Sequence, residues 1–171
     1  VYRNMVSNSV WAHTRRTVGV TPFSDNTKPT HMTLDEDVKE LVSIYYNKVK
    51  VGDTRRMYRE VEYLDPDRFL MKLNSRNSDS DNVEVITDPS GIELLILNET
   101  APTWFTSFDD DTLVFDSYDS EVDTTLQASK LQVIAYIIPA FTLSDSFVPD
   151  LPVAACSYLQ EESTAMAQLK L

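Results

Sequence analysis

The chain of 171 residues is long enough for one domain with a sizeable core, and 42% hydrophobic and 25% charged residues are ordinary for a globular protein. A formal net charge of −12 argues against gripping a phosphate backbone, which needs clustered Lys and Arg, although DNA can pass acidic walls without being held. No apolar run approaches the roughly 20 residues of a membrane-spanning helix. The three glycines are isolated, so no Gly-rich phosphate loop and no nucleotide-binding enzyme of the usual kinds is expected.

The ends of the sequence suggest that it belongs to a longer polypeptide. It begins at Val1 without an initiating Met or a signal pattern, and it stops at Leu171 within a helical pattern. The single cysteine, Cys156, excludes an internal disulfide. Its small neighbours predict a buried position on a helix rather than a reactive thiol.

The first fifty residues mix helix and strand signals. Trp11 is expected to anchor a helix end to the core, and Pro22 stops the first strand. Residues 34–50 carry acids in a first helical turn but also a run of strand formers, so we divide them. The predicted elements are a helix end over 1–12, a strand over 13–20, a loop over 21–33, a helical turn over 34–40 and a strand over 41–48.

The middle of the chain carries clearer signals. Pro66 suits a first helical turn with Asp65 as its cap. The turn sequence Asp88-Pro89-Ser90-Gly91 predicts a hairpin in which Gly91 takes positive φ. The predicted elements are a turn at 52–54, a strand over 57–64, a helix over 65–73, a solvated loop over 74–82, and hairpin strands over 82–87 and 92–97.

Residues 103–150 organise the rest of the chain. Aromatic and β-branched residues alternate with polar ones over 104–108, 112–115 and 124–138, where Pro139 ends the last run. This pattern predicts a meander of two or three antiparallel strands. So much aromatic strand needs a partner sheet or a partner chain to cover it.

The links between these strands are acidic. Their carboxylates do not fit a Ca²⁺ loop, and no His, Lys or Gly-lined pocket accompanies them for acid–base catalysis. Solvated or interface loops are the preferred interpretation, with opportunistic cation binding as the alternative. His13 and His31 lie on different elements without a second ligand nearby, so neither a metal site nor a cofactor is expected. The acidic residues are Asp109, Asp110, Asp111, Asp116, Asp119, Glu121 and Asp123.

The last part of the chain predicts a stiff segment and a helix. Phe141 and Phe147 lie between Pro139 and Pro149 and predict an extended segment over 139–150. This segment either covers one end of the sheet or lies in a groove of a neighbouring subunit. Residues 151–171 change to helical spacing with an Ala-rich face.

These elements predict an α+β fold, with an antiparallel β-sheet domain flanked by N- and C-terminal helices. We predict a single domain, with residues 1–12 as a helix end, 13–150 as a β-rich core and 151–171 as a C-terminal helix.

Four strings of residues carry a family resemblance. They are Tyr63–Leu70, Trp104–Asp109, Phe115–Asp119 and Phe141–Asp150. With the hairpin before them and the helical tail after them, they resemble the head–tail adaptor proteins of short-tailed bacteriophages, the tubular tail protein next to the portal. The resemblance covers residues 57–165 well and 1–56 weakly. These strings concern fold and assembly, so they indicate no reactive centre.

The resemblance implies a structural virion protein at the head–tail interface, assembled in the host cytoplasm, rather than an enzyme. Members of that family form a ring, commonly twelvefold, which touches the portal, the tail nozzle and tail fibre proteins. The ring extends the channel through which DNA passes without sequence-specific binding. An alternative is a tail-tube, stopper or fibre-docking module of the phage tail, and a hydrolase using the acidic cluster is a further one.

In that interpretation two sets of residues are assigned to assembly. Subunits pack laterally through Phe141, Phe147, Pro149, Ala154, Tyr158 and Met166. Replacing Phe147 with Ala is expected to weaken the ring while leaving the fold largely intact. The acidic residues Asp109, Asp110, Asp111, Asp116 and Asp119 face either the channel or the tail proteins.

Overall fold

The computed structural model describes residues 1–8, 11–35, 37–50, 52, 54–109, 111–122 and 125–169. Within them the helices are α1 (Tyr2–Asn8), α2 (Pro66–Asn74) and α3 (Val153–Gln168). The strands are β1 (Arg15–Val18), β2 (Val20–Pro22), β3 (His31–Leu34), β4 (Val38–Asn47), β5 (Tyr58–Tyr63), β6 (Val83–Thr87), β7 (Glu93–Leu97), β8 (Trp104–Ser107), β9 (Thr112–Phe115) and β10 (Leu131–Ile137). Short 3-10 turns over Ala12–Thr14 and Ala128–Lys130 lead into β1 and β10.

Eight strands form one nearly closed sheet in the order β1-β10-β4-β5-β8-β9-β3-β2. The strands at the two ends of this order, β1 and β2, are separated in the chain by Gly19 alone. One bent stretch of chain therefore pairs with β10 on one side and with β3 on the other. Most neighbours are antiparallel, and β5 and β8 are parallel. The fold is thus α+β, with far more sheet than helix.

The missing side chain of Gly19 leaves space at this bend for the carboxylate of Asp35. A Cβ atom at this position would meet the carboxylate of Asp35. That carboxylate accepts a hydrogen bond from the Thr21 hydroxyl at 2.6 Å, and the amide of Asp35 donates to the Gly19 carbonyl at 3.2 Å. These two hydrogen bonds of Asp35 stabilise the bend between β1 and β2, where the sheet nearly closes.

The core is formed by the inward faces of the sheet. Ile44 pairs with Val61 on one side and with Val133 on the other, and all three side chains are buried. All four residues of β9 are buried, and α2 packs against the neighbouring strand β8 and the hairpin strand β7. From α2, Phe69 and Leu73 are fully buried.

Several sequence predictions are confirmed. The hairpin forms around Asp88–Gly91, and Gly91 has a φ of +86°. The helix after Asp65 and the strand over 57–64 are present with shifts of one residue. β8 and β9 pair as antiparallel neighbours. The predicted C-terminal helix is present as α3, although residues 170 and 171 lie outside the part described.

Other predictions are wrong, because long-range pairing decides them. The helical turn over 34–40 is instead the end of β3 and the start of β4, since residues from Val38 onward pair with β10. The loop over 21–33 contains β3, which is held between β2 and β9. The predicted meander does not continue to β10, which pairs with β1 and β4.

A buried ion pair joins α2, the hairpin and the sheet. Asp116 directly follows β9 and is 2% exposed, and its Oδ2 accepts from Arg76 Nη2 at 2.7 Å. Its Oδ1 accepts from the amides of Thr103 and Trp104, each at 2.9 Å. Arg76 Nη1 donates to the carbonyls of Leu95 and Asp116 at 2.8 and 2.7 Å. Arg76 lies in the predicted solvated loop, so that loop is not solvated throughout.

A second buried contact holds the hairpin turn to β3. His31 Nε2 lies 2.9 Å from Asp88 Oδ1, and both residues are buried. Burial lowers the pKa of His31 below its usual 6.5, and this effect exceeds the opposing influence of Asp88. Burial alone would raise the pKa of Asp88, but hydrogen bonds from the side chain and amide of Ser90 and from His31 hold it below its usual value. A neutral imidazole therefore donates to an ionised carboxylate.

None of the described helices is both long enough and apolar enough to cross a lipid bilayer.

Removing Arg76 is expected to destabilise the protein strongly. Arg76→Ala leaves the Asp116 carboxylate buried without its cation, which costs about 3 kcal/mol or more. Arg68→Ala, which removes an exposed arginine from α2, should change stability by less than about 0.5 kcal/mol. Urea unfolding of both variants tests this, and equal losses would contradict the role assigned to the ion pair.

The stability of the protein should fall as the pH is lowered from 7 to 5. The unfolded chain takes up a proton at His31 near pH 6.5, whereas the folded chain resists protonation until a lower pH. The contribution of His31 to the free energy of unfolding is therefore complete above about pH 6.5, and it is lost as the pH falls below that value. In His31→Gln this part of the pH dependence should disappear, and in His13→Gln it should persist. If the wild-type protein gained stability as the pH fell from 7 to 5, His31 would instead be protonated and ion-paired with Asp88 in the folded state.

Candidate assembly surface

The segment that connects β10 to α3 packs against α1 of the same chain. The rings of Phe141 and Phe147 lie 5.7 and 5.8 Å from the ring of Tyr2, and 5.2 Å from each other. Tyr2 is buried beneath them, whereas Phe141 stays 49% exposed. The structure thus places the two phenylalanines of the predicted assembly set in an aromatic cluster that covers their own N-terminal helix.

Asp150 attaches the end of this segment to the region around β1. Its Oδ2 lies 2.7 Å from Arg16 Nη2, and its carbonyl lies 2.9 Å from His13 Nε2. The ion pair is exposed, so it contributes at most about 1 kcal/mol. The contacts with Arg16 and His13 hold Asp150 beside β1, just before α3 begins.

α3 has almost no buried face. Of its 16 residues, only Ala155 is buried. Ala154, Tyr158 and Met166 are exposed, and all three line one groove between α3 and α1. The structure therefore brings together three residues that the sequence assigned to assembly. Cys156 is also exposed, contrary to the buried position predicted from its small neighbours.

We call this cleft the α1–α3 groove. It has a volume of about 690 Å³. The side of α1 contributes Met5, and Trp11 adds an indole whose Nε1 lies 3.4 Å from the Met5 carbonyl. Asn4 and Glu162 supply polar groups to the lining. Trp11 was expected in the core, but it is only partly buried and lines the groove instead.

The exposed apolar side chains of the protein are concentrated in this part of the chain. Among the described residues, 13 large hydrophobic side chains are exposed, and seven of them lie between residues 141 and 169. The most exposed are Leu143, Leu169, Val153 and Val148, between 82% and 93%. Such a concentration on one part of a small protein is typical of a surface that a partner covers.

The acidic residues do not form one surface. Asp109 and Asp111 are exposed, and Asp109 Oδ1 accepts from the Thr112 amide at 2.7 Å, which closes the turn between β8 and β9. Asp116 is buried against Arg76, and Asp119, 9% exposed, accepts from the Glu121 amide at 3.2 Å. The expectation that Asp116 and Asp119 face a channel or the tail proteins is therefore wrong. Glu121 is exposed, whereas Asp110 and Asp123 lie outside the described residues.

In the described part of the chain, no three His, Cys, Asp or Glu side chains are gathered closely enough to hold a metal ion.

Comparisons with known proteins identify no relative: no family model, no curated protein and no solved structure matches the chain.

Truncating Phe147 should release the connecting segment from α1 without unfolding the sheet. Phe147→Ala removes two ring contacts from a partly exposed cluster, so a loss of about 1–2 kcal/mol is expected, less than for a fully buried phenylalanine. Amide hydrogen exchange should accelerate in α1 and in residues 141–152, while β4 and β10 stay protected. Leu143→Ala, at a position 93% exposed, is the matched control. Equal exchange in both variants would contradict this role of Phe147.

Proposed function

We propose that the protein is a structural component of a bacteriophage virion. As a head–tail adaptor, its copies form a ring, twelvefold as in the family it resembles, between the portal and the tail nozzle. The observation that carries this proposal is α3, a helix of 16 residues with a single buried side chain. The sequence strings at 63–70, 104–109, 115–119 and 141–150 supply the link to the adaptor family.

A helix as exposed as α3 gains little from packing within its own chain. Most helical stability in proteins comes from burying one face, and isolated helices of this length are marginal in water. In a ring, the neighbouring copy would bury Ala154, Tyr158 and Met166 together with the α1–α3 groove. The exposed apolar residues of 143–169 then belong to subunit contacts, which explains why they are not placed in the core.

The same proposal accounts for the overall charge. A ring of chains that each carry −12 repels the phosphate backbone, so DNA passes through the channel without being held by most of the wall. Asp109 and Asp111 remain candidates for residues that face the channel or the tail proteins. The protein would be assembled in the host cytoplasm and act in the virion, where tail fibre proteins are further partners.

Native mass spectrometry of the purified protein, alone and mixed with the portal protein, tests the proposal. We expect a discrete ring, in the first sample or only after portal is added. A ring that joins tail proteins but never portal would favour a tail-tube, stopper or fibre-docking module. A chain that stays monomeric in both samples would overturn the adaptor proposal.

Charges placed in the α1–α3 groove should prevent self-association. Tyr158→Glu combined with Met166→Glu puts two carboxylates on the proposed subunit contact, and we expect ring formation to weaken at least tenfold. Ser157→Glu combined with Gln160→Glu adds the same charge to another exposed face of α3 and should leave assembly unchanged. Sedimentation of both double variants measures the difference, and thermal unfolding checks that both are folded. Equal assembly of the two would rule out this groove as the subunit contact.

A further inference from the structure

One loop of this acidic protein is positively charged. Residues 48–59 contain five of the 15 Lys and Arg residues of the chain and a single acid, Asp53. In a chain with a net charge of −12, this stretch is locally cationic. The overall charge conceals it, although the run is visible in the sequence.

The fold holds these cations at one end of the β4–β5 pair. Asn47 Oδ1 accepts from the amides of Val49 and Met57 at 3.3 and 3.1 Å, which ties the two arms of the loop together. The amide of Lys48 donates to the Met57 carbonyl at 2.8 Å and continues the strand pairing. From the start of β10, Lys130 Nζ donates to the Val49 carbonyl at 3.1 Å, which adds a sixth cation at the base of the loop. We call Lys48, Lys50, Arg55, Arg56, Arg59 and Lys130 the basic loop.

The described ion pairs of lysine and arginine all involve residues outside the basic loop. Arg16, Lys28 and Arg76 are each paired with an aspartate. Among the residues that the structure describes, none of the six cations of the basic loop forms an ion pair. Burial, and to a smaller extent the nearby positive charge of Arg59, lower the pKa of Lys48. Glu60, the acid next to Arg59 in the chain, points to the opposite face of β5 by strand alternation.

We propose that the basic loop binds the phosphate backbone of double-stranded DNA without reading its sequence. Three of the six cations are arginines, whose planar fork of donors matches phosphate oxygens. Charged residues are depleted at the centres of protein–protein interfaces, whereas protein–DNA interfaces are strongly positive, so DNA fits this surface better than an acidic protein does. The acidic remainder of the chain repels DNA, which leaves the basic loop as the point of contact.

This inference does not rest on the adaptor proposal, because a single chain suffices to test it. Fluorescence anisotropy with a labelled duplex of about 20 base pairs measures binding between about 50 and 200 mM salt. If the loop neutralises about three phosphates, the logarithm of the binding constant falls with a slope of about −2.7 against the logarithm of salt, or roughly 40-fold over this range.

The decisive comparison uses two double variants with the same change in charge. Arg55→Gln with Arg56→Gln removes two cations from the basic loop, and binding should weaken at least tenfold with a shallower salt dependence. Arg15→Gln with Arg68→Gln removes two exposed arginines from β1 and α2 and should retain wild-type binding within about twofold. Circular dichroism and urea unfolding confirm that both remain folded.

Three outcomes would overturn the proposal. The first is the absence of salt-dependent binding by the wild-type protein at about 50 mM salt. The second is an equal loss of binding in the two double variants, which would indicate a general charge effect. The third is displacement of the duplex by polyglutamate as effectively as by unlabelled duplex at equal charge, which would identify an acidic protein as the partner.

Discussion

The buried carboxylate of Asp116 is the point at which three parts of the fold are joined. It directly follows β9, accepts hydrogen bonds from two backbone amides at the start of β8, and forms an ion pair with Arg76 just beyond α2. A charge removed from water must have its hydrogen-bonding capacity satisfied by the protein, and here Arg76 and two backbone amides supply it. Because Arg76 also reaches the Leu95 carbonyl, the position of the hairpin depends on the same contact. A residue that belongs to an acidic run in the sequence is thus a structural centre rather than a surface charge.

The nearly closed sheet explains why α3 differs from α2. Pairing of β1 with β10 and of β2 with β3 lets a single bent stretch close the sheet around its core. α2 packs against β8 and the hairpin strand β7, and apolar residues of α2 and of the hairpin become core. No comparable interior remains for α3, whose side chains stay at the surface. The exposure of α3 is therefore a consequence of where the sheet closes.

The distribution of charge divides the molecule in a second way. Most carboxylates of the described residues are exposed, which is compatible with the proposed channel wall, whereas the basic loop at the end of β4 and β5 is the proposed contact with DNA. In the proposed ring, weak and non-specific contact at one point would be compatible with passage of DNA, since a ring that held DNA along its whole wall would obstruct it. The α1–α3 groove and the basic loop also differ chemically, because one is mostly apolar and the other cationic. The two surfaces therefore suit the different partners proposed for them.

The sequence by itself determined the features that depend on neighbouring residues. Turn chemistry at Asp88–Gly91, the proline at the start of α2 and the alternation around Trp104–Ser107 predicted the hairpin, the helix and the strand, because the signal and its cause lie within a few residues. The helical spacing of Ala154, Tyr158 and Met166 likewise predicted one shared face.

Only the tertiary structure decided what depends on distant partners. Val38 joins a strand because β10 lies beside it, and β3 exists because β2 and β9 flank it. Asp116 and Asp119 are buried although Asp109, Asp111 and Glu121 of the same acidic run are exposed, because burial of a carboxylate depends on whether the fold brings it donors, such as Arg76 from 40 positions away. Local sequence patterns indicate propensity and periodicity. Which strands and charges pair depends on the whole fold, because the partners are distant in the sequence.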